Sequence, residues 1–235
     1  MKKKLIGIIG AMDIEIEGLR AILTSAKTVE IGGIAFTTGK LGLQKVVIAK
    51  SGIGKVFAAI CTQTMINEFS PDMIVNTGIA GTLYEDVGIL DVVVANRTVQ
   101  HDMDISSLDD VPVGLIPDFD DVYLNCDDDI AKRISRAATS LGIRNIIGTV
   151  ASGDQFIADA KKKEWIKNTF SADACEMEGA AIGQVCTFRK TPFCIVRTIS
   201  DGGNEAANMD YPKFAKLAAD QSVKIVRAFV EGLAE

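Results

Sequence analysis

The chain has 235 residues, 48% of them apolar and 24% charged, and a net charge of -6. This length and balance suit one α/β domain over residues 1–235 with a well-buried core, and the negative charge argues against a nucleic-acid surface, because only Lys2 to Lys4 and Lys161 to Lys163 are locally basic. No apolar run approaches the ~20 residues that span a bilayer, and Cys61, Cys126, Cys175, Cys186 and Cys194 lack CxxC spacing, so they read as reduced, buried thiols of a cytoplasmic protein.

Residues 5–9 form a continuous apolar run of the kind a strand buried on both faces requires. With Met1-Lys2-Lys3-Lys4 before it, the start has the outline of a signal peptide. The run is short, however, and meets Met12, Asp13 and Glu15 instead of a small-residue cleavage site, so it is read as the first strand. Ile16, Leu19, Ile22 and Leu23 follow at helical spacing behind a first turn bearing Asp13, Glu15 and Glu17. The helix dipole accounts for Asp13 and Glu17. Glu15 sits where strand end and helix start can both present it to a pocket, the place where ligands gather in open α/β sheets.

Residues 34–38 and 46–49 read as paired strands joined through Gly39 and Gly42. The next loop, Lys50-Ser51-Gly52-Ile53-Gly54-Lys55, opens a helix through Val56, Ala59, Ile60, Gln63 and Ile66. It is not a phosphate-binding P-loop, which needs glycine where Ala49 stands and Ser or Thr where Val56 stands. Residues 73–76 are a further buried strand ending in a small-residue turn, Thr77-Gly78-Ile79-Ala80-Gly81, and residues 92–95 are another. His101, the only histidine, lies beside Asp102 and Asp104 and reads as a hydrogen-bonded structural or interface residue. One histidine and no clustered cysteines leave little from which to build a transition-metal site.

Residues 106–125 lack periodicity and carry Pro112, Pro117, Asp109, Asp110, Asp118, Asp120 and Asp121, as a lid, a subunit contact or a partly disordered segment does. A helix with Ile130, Ile134, Ala137 and Leu141 on one face follows and stops at Gly142. Residues 145–151 read as a strand ending in Ser152-Gly153-Asp154-Gln155-Phe156-Ile157, where Phe156 can either cap a flat ring or pack in the core. Residues 158–170 read as a helix with a basic face. After a turn at residues 204–208, a long helix runs from about Tyr211 to Leu233 with Phe214, Ala218, Ile225, Phe229 and Leu233 inward. Strands alternating with helices define an α/β fold.

Two carboxylates and an arginine fall where apolar elements stop. Glu178 lies in Ala174-Cys175-Glu176-Met177-Glu178-Gly179-Ala180-Ala181, and Arg197 and Asp201 follow the apolar run at 193–196, Asp201 in a Ser-Asp-Gly-Gly turn. Acids pressed against Met, Ala and Ile must be hydrogen-bonded, paired or protonated, which suits acid/base chemistry and equally a structural Arg197–Glu178 ion pair.

Six motifs in order, Gly7-Ile8-Ile9-Gly10-Ala11-Met12, Ser51-Gly52-Ile53-Gly54-Lys55-Val56, Asn76-Thr77-Gly78, Ser152-Gly153-Asp154, Glu176-Met177-Glu178 and Ile199-Ser200-Asp201, cover nearly the whole chain. Together they resemble the 5'-methylthioadenosine/S-adenosylhomocysteine nucleosidases of the nucleoside phosphorylase superfamily. The resemblance implies a central mixed sheet flanked by helices and an irreversible, cofactor-free and metal-free hydrolysis of an N-glycosidic bond. It implies Asp201 as acid to adenine N7, Glu15 as activator of water, Glu178 as acceptor of the ribose hydroxyls and Arg197 as the residue holding Glu178 or Glu15. Met177 would pack on the sugar, Phe156 would stack on adenine, the Ile157 backbone would read its edge and Ser200 would orient Asp201. Met12 and Ile53 would line the ribose and 5' side, with Ile79, Ala80 and Gly81 also bordering the substrate. Leu108 and Pro117 would reach into the partner's 5'-alkylthio pocket, which makes a homodimer the expected form.

Ile79 stands where many members have Ser, Leu108 replaces a common Phe, and Ile14 interrupts an acidic run that often precedes the catalytic Glu. The first two bear on preference among 5' substituents. A phosphorylase of the same fold is the neighbouring alternative, but acids in the first loop repel phosphate. A hydrolase of futalosine-type nucleosides is the second, and a nucleoside-binding protein, which would lack Glu15 or Asp201, the third.

Overall fold

A computed structural model describes residues 4–108, 110–202 and 207–233, with side chains omitted for 207–210. In chain order the elements are β1 (Leu5–Gly10), α1 (Asp13–Ala21), β2 (Thr24–Ile31), β3 (Ile34–Leu41), β4 (Gln44–Lys50), α2 (Lys55–Phe69), β5 (Met73–Thr82) and β6 (Val92–Gln100). They continue as β7 (Leu124–Asn125), α3 (Asp128–Ser140), β8 (Asn145–Ser152), α4 (Ala160–Phe170), β9 (Ala174–Glu176), α5 (Gly179–Arg189), β10 (Phe193–Asp201) and α6 (Ala207–Gly232).

All ten strands belong to one mixed sheet. β1 lies between β4 and β5, parallel to both, and β3 and β2 extend that side as antiparallel neighbours. β10 pairs in parallel with β5 and antiparallel with β6, while β6, β8, β9 and β5 pair successively. β5, β6, β8, β9 and β10 therefore close on themselves, and the carboxyl ends of β1, β5, β8 and β10 converge on one rim. The core explains the apolar runs: Ile6, Ile8, Ile9, Ile74, Val75, Val94, Ile195 and Val196 are all fully buried.

The mixed α/β architecture is as expected, with local differences. β5 continues through Thr82 and β10 through Asp201, so Thr77 to Gly81 and Arg197 to Asp201 are strand rather than turn. Pairing explains both: Arg197 stands beside Gly78, Thr198 beside Ile79 and Asp201 beside Gly81, and β9 adds Cys175 opposite Gly81. β2 was not expected, because its residues are almost wholly exposed; it pairs with β3 alone, with Thr28–Thr37 and Thr38–Lys27 hydrogen bonds beside the backbone ladder. Helix α2 turns Ala58, Cys61, Thr62, Met65 and Ile66 inward, while Val56 and Ile60 face outward. Of the turn expected at 204–208, residues 204–206 lie outside the described residues, as does Asp109. Residues 207 and 208 already belong to α6.

All five cysteines are buried and free. His101 differs from expectation: it is 1% exposed, yet among the described residues neither ring nitrogen has a hydrogen-bond partner. Burial holds its pKa below the ordinary value, against the pull of Asp102, so a neutral ring fills this space. Among the described residues no helix is long and apolar enough to cross a membrane.

Candidate active site

The carboxyl-end rim opens into a cavity of about 410 Å³. Met12, Ile53, Ile79, Ala80, Gly81, Phe156, Met177, Ser200, Glu15, Glu178 and Asp201 line it, so the fold brings residues from distant parts of the sequence to one cavity. Ile157 borders a small adjoining recess with Phe156 and Asp201. Leu108 and Pro117 do not reach this cavity; both are exposed, Leu108 at 82%.

Glu15 is buried at the start of α1, where the strand-to-helix turn aims two backbone donors, and β5 a third, at one carboxylate. Ala11 N–H and Met12 N–H donate to Oε2 at 2.7 and 2.9 Å, and Ile79 N–H from β5 donates to Oε1 at 3.1 Å. Gly78 makes the approach possible, because a Cβ there would stand 2.6 Å from Glu15 Oε1. Burial pushes the Glu15 carboxyl up, with Arg197 and the three N–H groups opposing it.

Arg197 lies behind the cavity wall, 1% exposed. Its Nη2 donates to Glu176 Oε2 and to Asn76 Oδ1, and Glu178 Oε2 is 4.0 Å away. The closest acidic partner of Arg197 is thus Glu176, with Glu178 in a longer ion pair and Glu15 reached only through its field. Burial works against the guanidinium charge, but Glu176, Glu178 and Glu15 outweigh it and hold the Arg197 pKa above its ordinary value. Glu176 is saturated: Ser152 Oγ donates to Oε1, Glu178 N–H to Oε2 and Gly179 N–H to both oxygens.

Glu178 has fewer partners. Gly54 N–H donates to its Oε1 at 2.8 Å, and burial together with the charge of Glu176 pushes its pKa up to about 8, against Arg197 and that N–H. Across the cavity Ser200 Oγ donates to Asp201 Oδ2 at 2.9 Å. Phe156 meets Tyr211 edge-on at 5.7 Å, and the Tyr211 hydroxyl reaches Met12 Sδ at 3.4 Å. Tyr211, Cys175, Ala11 and Glu176 line the cavity without having been singled out as site residues. For Tyr211 a signal existed, since it is the first aromatic after the Asp201 strand, but it read as the start of a helix. Among the described residues no cationic side chain lines the cavity and no cluster of His, Cys, Asp or Glu could hold a metal ion.

A buried set of carboxylates at the carboxyl ends of a partly closed mixed sheet places the chain in a class, and a model of the phosphorylase superfamily matches residues 5–231. Within that class the chain belongs to the 5'-methylthioadenosine/S-adenosylhomocysteine nucleosidase family of enzymes. The relative of that name from Staphylococcus carnosus is 39% identical over 230 residues, covering 97% of this chain and all of the relative. The nucleosidase of that name from Neisseria meningitidis, solved with methylthio-immucillin-A, matches with a TM-score of 0.94 at 36% identity over 97% of this chain and 99% of its own. Futalosine hydrolase of Helicobacter pylori matches with a TM-score of 0.93 at 34% identity over 97% and 98%.

The raised pKa of Glu178 has a consequence for stability. A carboxyl at about 8 when folded and 4.5 when unfolded contributes its stability in full below pH 4.5 and loses it as pH rises towards 8. Ligand-free Glu178→Gln is therefore expected to melt higher relative to the parent protein at about pH 9 than at about pH 6. Thermal scans of both proteins check this, and an unchanged difference would mean that Glu178 titrates as an ordinary carboxylate.

Proposed function

We propose that the protein hydrolyses the N-glycosidic bond of 5'-methylthioadenosine and S-adenosylhomocysteine, releasing adenine and the corresponding 5'-thioribose. The observation that carries this reading is Glu15: a carboxyl group held by three backbone donors on a cavity wall where, among the described residues, no cationic side chain stands to receive phosphate. A phosphorylase would need the opposite charge there. The names of the relatives, and the methylthio inhibitor in the Neisseria meningitidis enzyme, support the same substrates.

Cleavage leaves positive charge on the ribose and negative charge on adenine. Asp201, oriented by Ser200, gives a proton to N7 as the C1'–N9 bond breaks, so the bonding pair leaves with a neutral base. Water adds its oxygen to C1' and yields a proton to Glu15, and exchange with solvent returns both carboxyls to their starting states. Acid assistance and nucleophile activation are each typically worth ~10²–10⁴-fold. Glu178 accepts hydrogen bonds from the ribose hydroxyls, and its ionised form favours the oxocarbenium-like transition state. Arg197 acts through Glu176, neutralising the charge behind the site. Phe156 stacks on adenine, the Ile157 backbone reads its edge, and Met12, Ile53, Met177, Ile79, Ala80, Gly81 and Tyr211 enclose the sugar and its 5' group. Ile79 in place of a hydroxyl makes that wall more apolar, which suits a thioether. The likeness to the Helicobacter pylori futalosine hydrolase favours a second reading, a bulkier 5' substituent at the same site.

The working form is a homodimer. Ile53, Val56, Phe57 and Ile60 are spaced i, i+3, i+4 and i+7 across the start of α2 and are all exposed, an apolar stripe on the solvent side of a helix whose other face is already buried. Ile53 belongs to both the stripe and the cavity, so a second copy seated there would meet the substrate's 5' end. Leu108 and Pro117 are the exposed residues that the partner would receive.

Two measurements test these assignments. Incubation with 5'-methylthioadenosine in phosphate-free buffer is expected to give adenine and free methylthioribose on chromatography, with both Asp201→Asn and Glu15→Gln reduced at least ~10²-fold. A strict phosphate requirement and a sugar 1-phosphate product would overturn the role of Glu15. In sedimentation the parent is expected as a dimer and Phe57→Glu as a monomer with a higher KM, whereas a monomeric, fully active parent would remove the partner's residues from the site.

A further inference from the structure

Among the described residues Glu178 receives its one donor bond besides the distant arginine from the backbone of Gly54, 124 residues away in sequence, so the placement of the loop before α2 bears on where that carboxylate points. The loop has little rigidity of its own. Gly52 and Gly54 both adopt positive φ, at 91° and 98°, and the N-cap Gly54 has no side chain to cap α2.

The start of the loop is tied to the end of β1, where Ser51 N–H and Gly52 N–H donate to Gly10 O and Ala11 O at 2.9 and 3.2 Å, and its Gly54–Lys55 end is held from two other strands. Lys55 N–H, the first donor of α2, is taken by Asp154 Oδ1 at 2.8 Å, so the acid that complements the helix end is supplied by the turn after β8. The Lys55 ammonium donates to Asp102 Oδ1 at 2.6 Å and to Gln100 Oε1 at 3.0 Å, both at the end of β6. Asp154 N–H in turn donates to Asp102 Oδ2 at 2.9 Å, closing the circuit between the two strand ends. Lys55 and Asp102 side chains are each 20% exposed, enough burial for the pair to resist screening better than a surface pair does. Burial opposes the Asp102 charge, but the Lys55 hydrogen bond and the Asp154 N–H hold its carboxyl below the usual range. None of Lys55, Asp102 and Asp154 lines the cavity.

We propose that the Lys55–Asp102–Asp154 circuit is a positioning device for the ribose-binding carboxylate: it clamps the loop before α2 so that Gly54 N–H holds Glu178 and Ile53 stays on the cavity wall. The proposal rests on the assignment of Glu178 to the ribose hydroxyls. Lys55 is a positioning residue, since it acts only through Gly54.

The test compares kcat/KM for 5'-methylthioadenosine in the parent, Lys55→Met, Lys55→Arg, Glu178→Gln and the Lys55→Met/Glu178→Gln double variant. Lys55→Met/Asp102→Asn is added to remove the carboxylate charge that the single variant leaves unpaired. Loss of a hydrogen bond to a charged group predicts a fall of about tenfold or more in Lys55→Met and in Lys55→Met/Asp102→Asn, with substantial recovery in Lys55→Arg. Because the Gly54 N–H lowers the Glu178 pKa, the ionisation near pH 8 should move upward in the pH profile of Lys55→Met, a change that general loosening would not produce. In the Glu178→Gln background Lys55→Met should cost much less than in the parent. An unimpaired Lys55→Met enzyme, or an equal loss in both backgrounds, overturns the clamp while leaving the ribose assignment standing. A fully active Glu178→Gln enzyme overturns that assignment first and the clamp with it.

Discussion

The structure depends on one buried cation. Arg197 is among the largest fully buried side chains, and Glu15, Glu176 and Glu178 all contribute to the field that keeps it charged. One guanidinium cannot neutralise three carboxylates, and the chain resolves the shortfall differently for each. Glu176 takes the ion pair and is saturated by Ser152 and the N–H groups at the start of α5. Glu15 has no direct bond to the cation and is satisfied by three backbone donors. Glu178 is left with one N–H and a pKa near 8, so it is the least settled of the three until something in the cavity offers it hydroxyl donors or positive charge. Buried ion pairs are poor sources of stability, and an arrangement with surplus negative charge is kept for what it does to a bound molecule.

The sheet makes such crowding possible. Gly78 on β5 faces Arg197 on β10 in register, and its missing side chain is the space into which the Glu15 carboxylate fits. The same strands supply Ile79 and Ala80 on one side and Ser200 and Asp201 on the other. Asp201, the Glu15 carboxylate and the apolar wall between them are therefore brought together by two adjacent parallel strands and a helix start.

Much of this was legible in the chain. Apolar runs ending in small residues or acids marked β1, β5, β8 and β10, and the six ordered motifs carried the family and part of the cavity lining, Met12, Ile53, Met177, Glu178, Ser200 and Asp201 among it. What was not legible had physical causes. Residues 24–31 carry no buried side, so β2 has no hydrophobic pattern to read. The lengths of β5 and β10 are set by pairing with each other, which local composition does not encode. Glu176 and Glu178 are two residues apart and chemically alike; which of them meets Arg197 depends on β9 ending at Glu176 and the chain turning into α5 at Gly179. The outward Val56, Phe57 and Ile60 are as apolar as the inward Cys61 and Met65, so the pattern of α2 could not distinguish its two faces.

The double pairing of β10 has a further bearing on motion. A strand bonded on both sides, with every residue buried, exposes its amides only when its neighbours let go, so it belongs to the slowest-exchanging unit of a fold. Arg197 and Asp201 ride on that strand, while the loop that carries Ile53 and Gly54 belongs to none. Breathing of the cavity then falls to the helix-entry side, where Ile53 stands, while the wall formed by Ser200 and Asp201 keeps its shape.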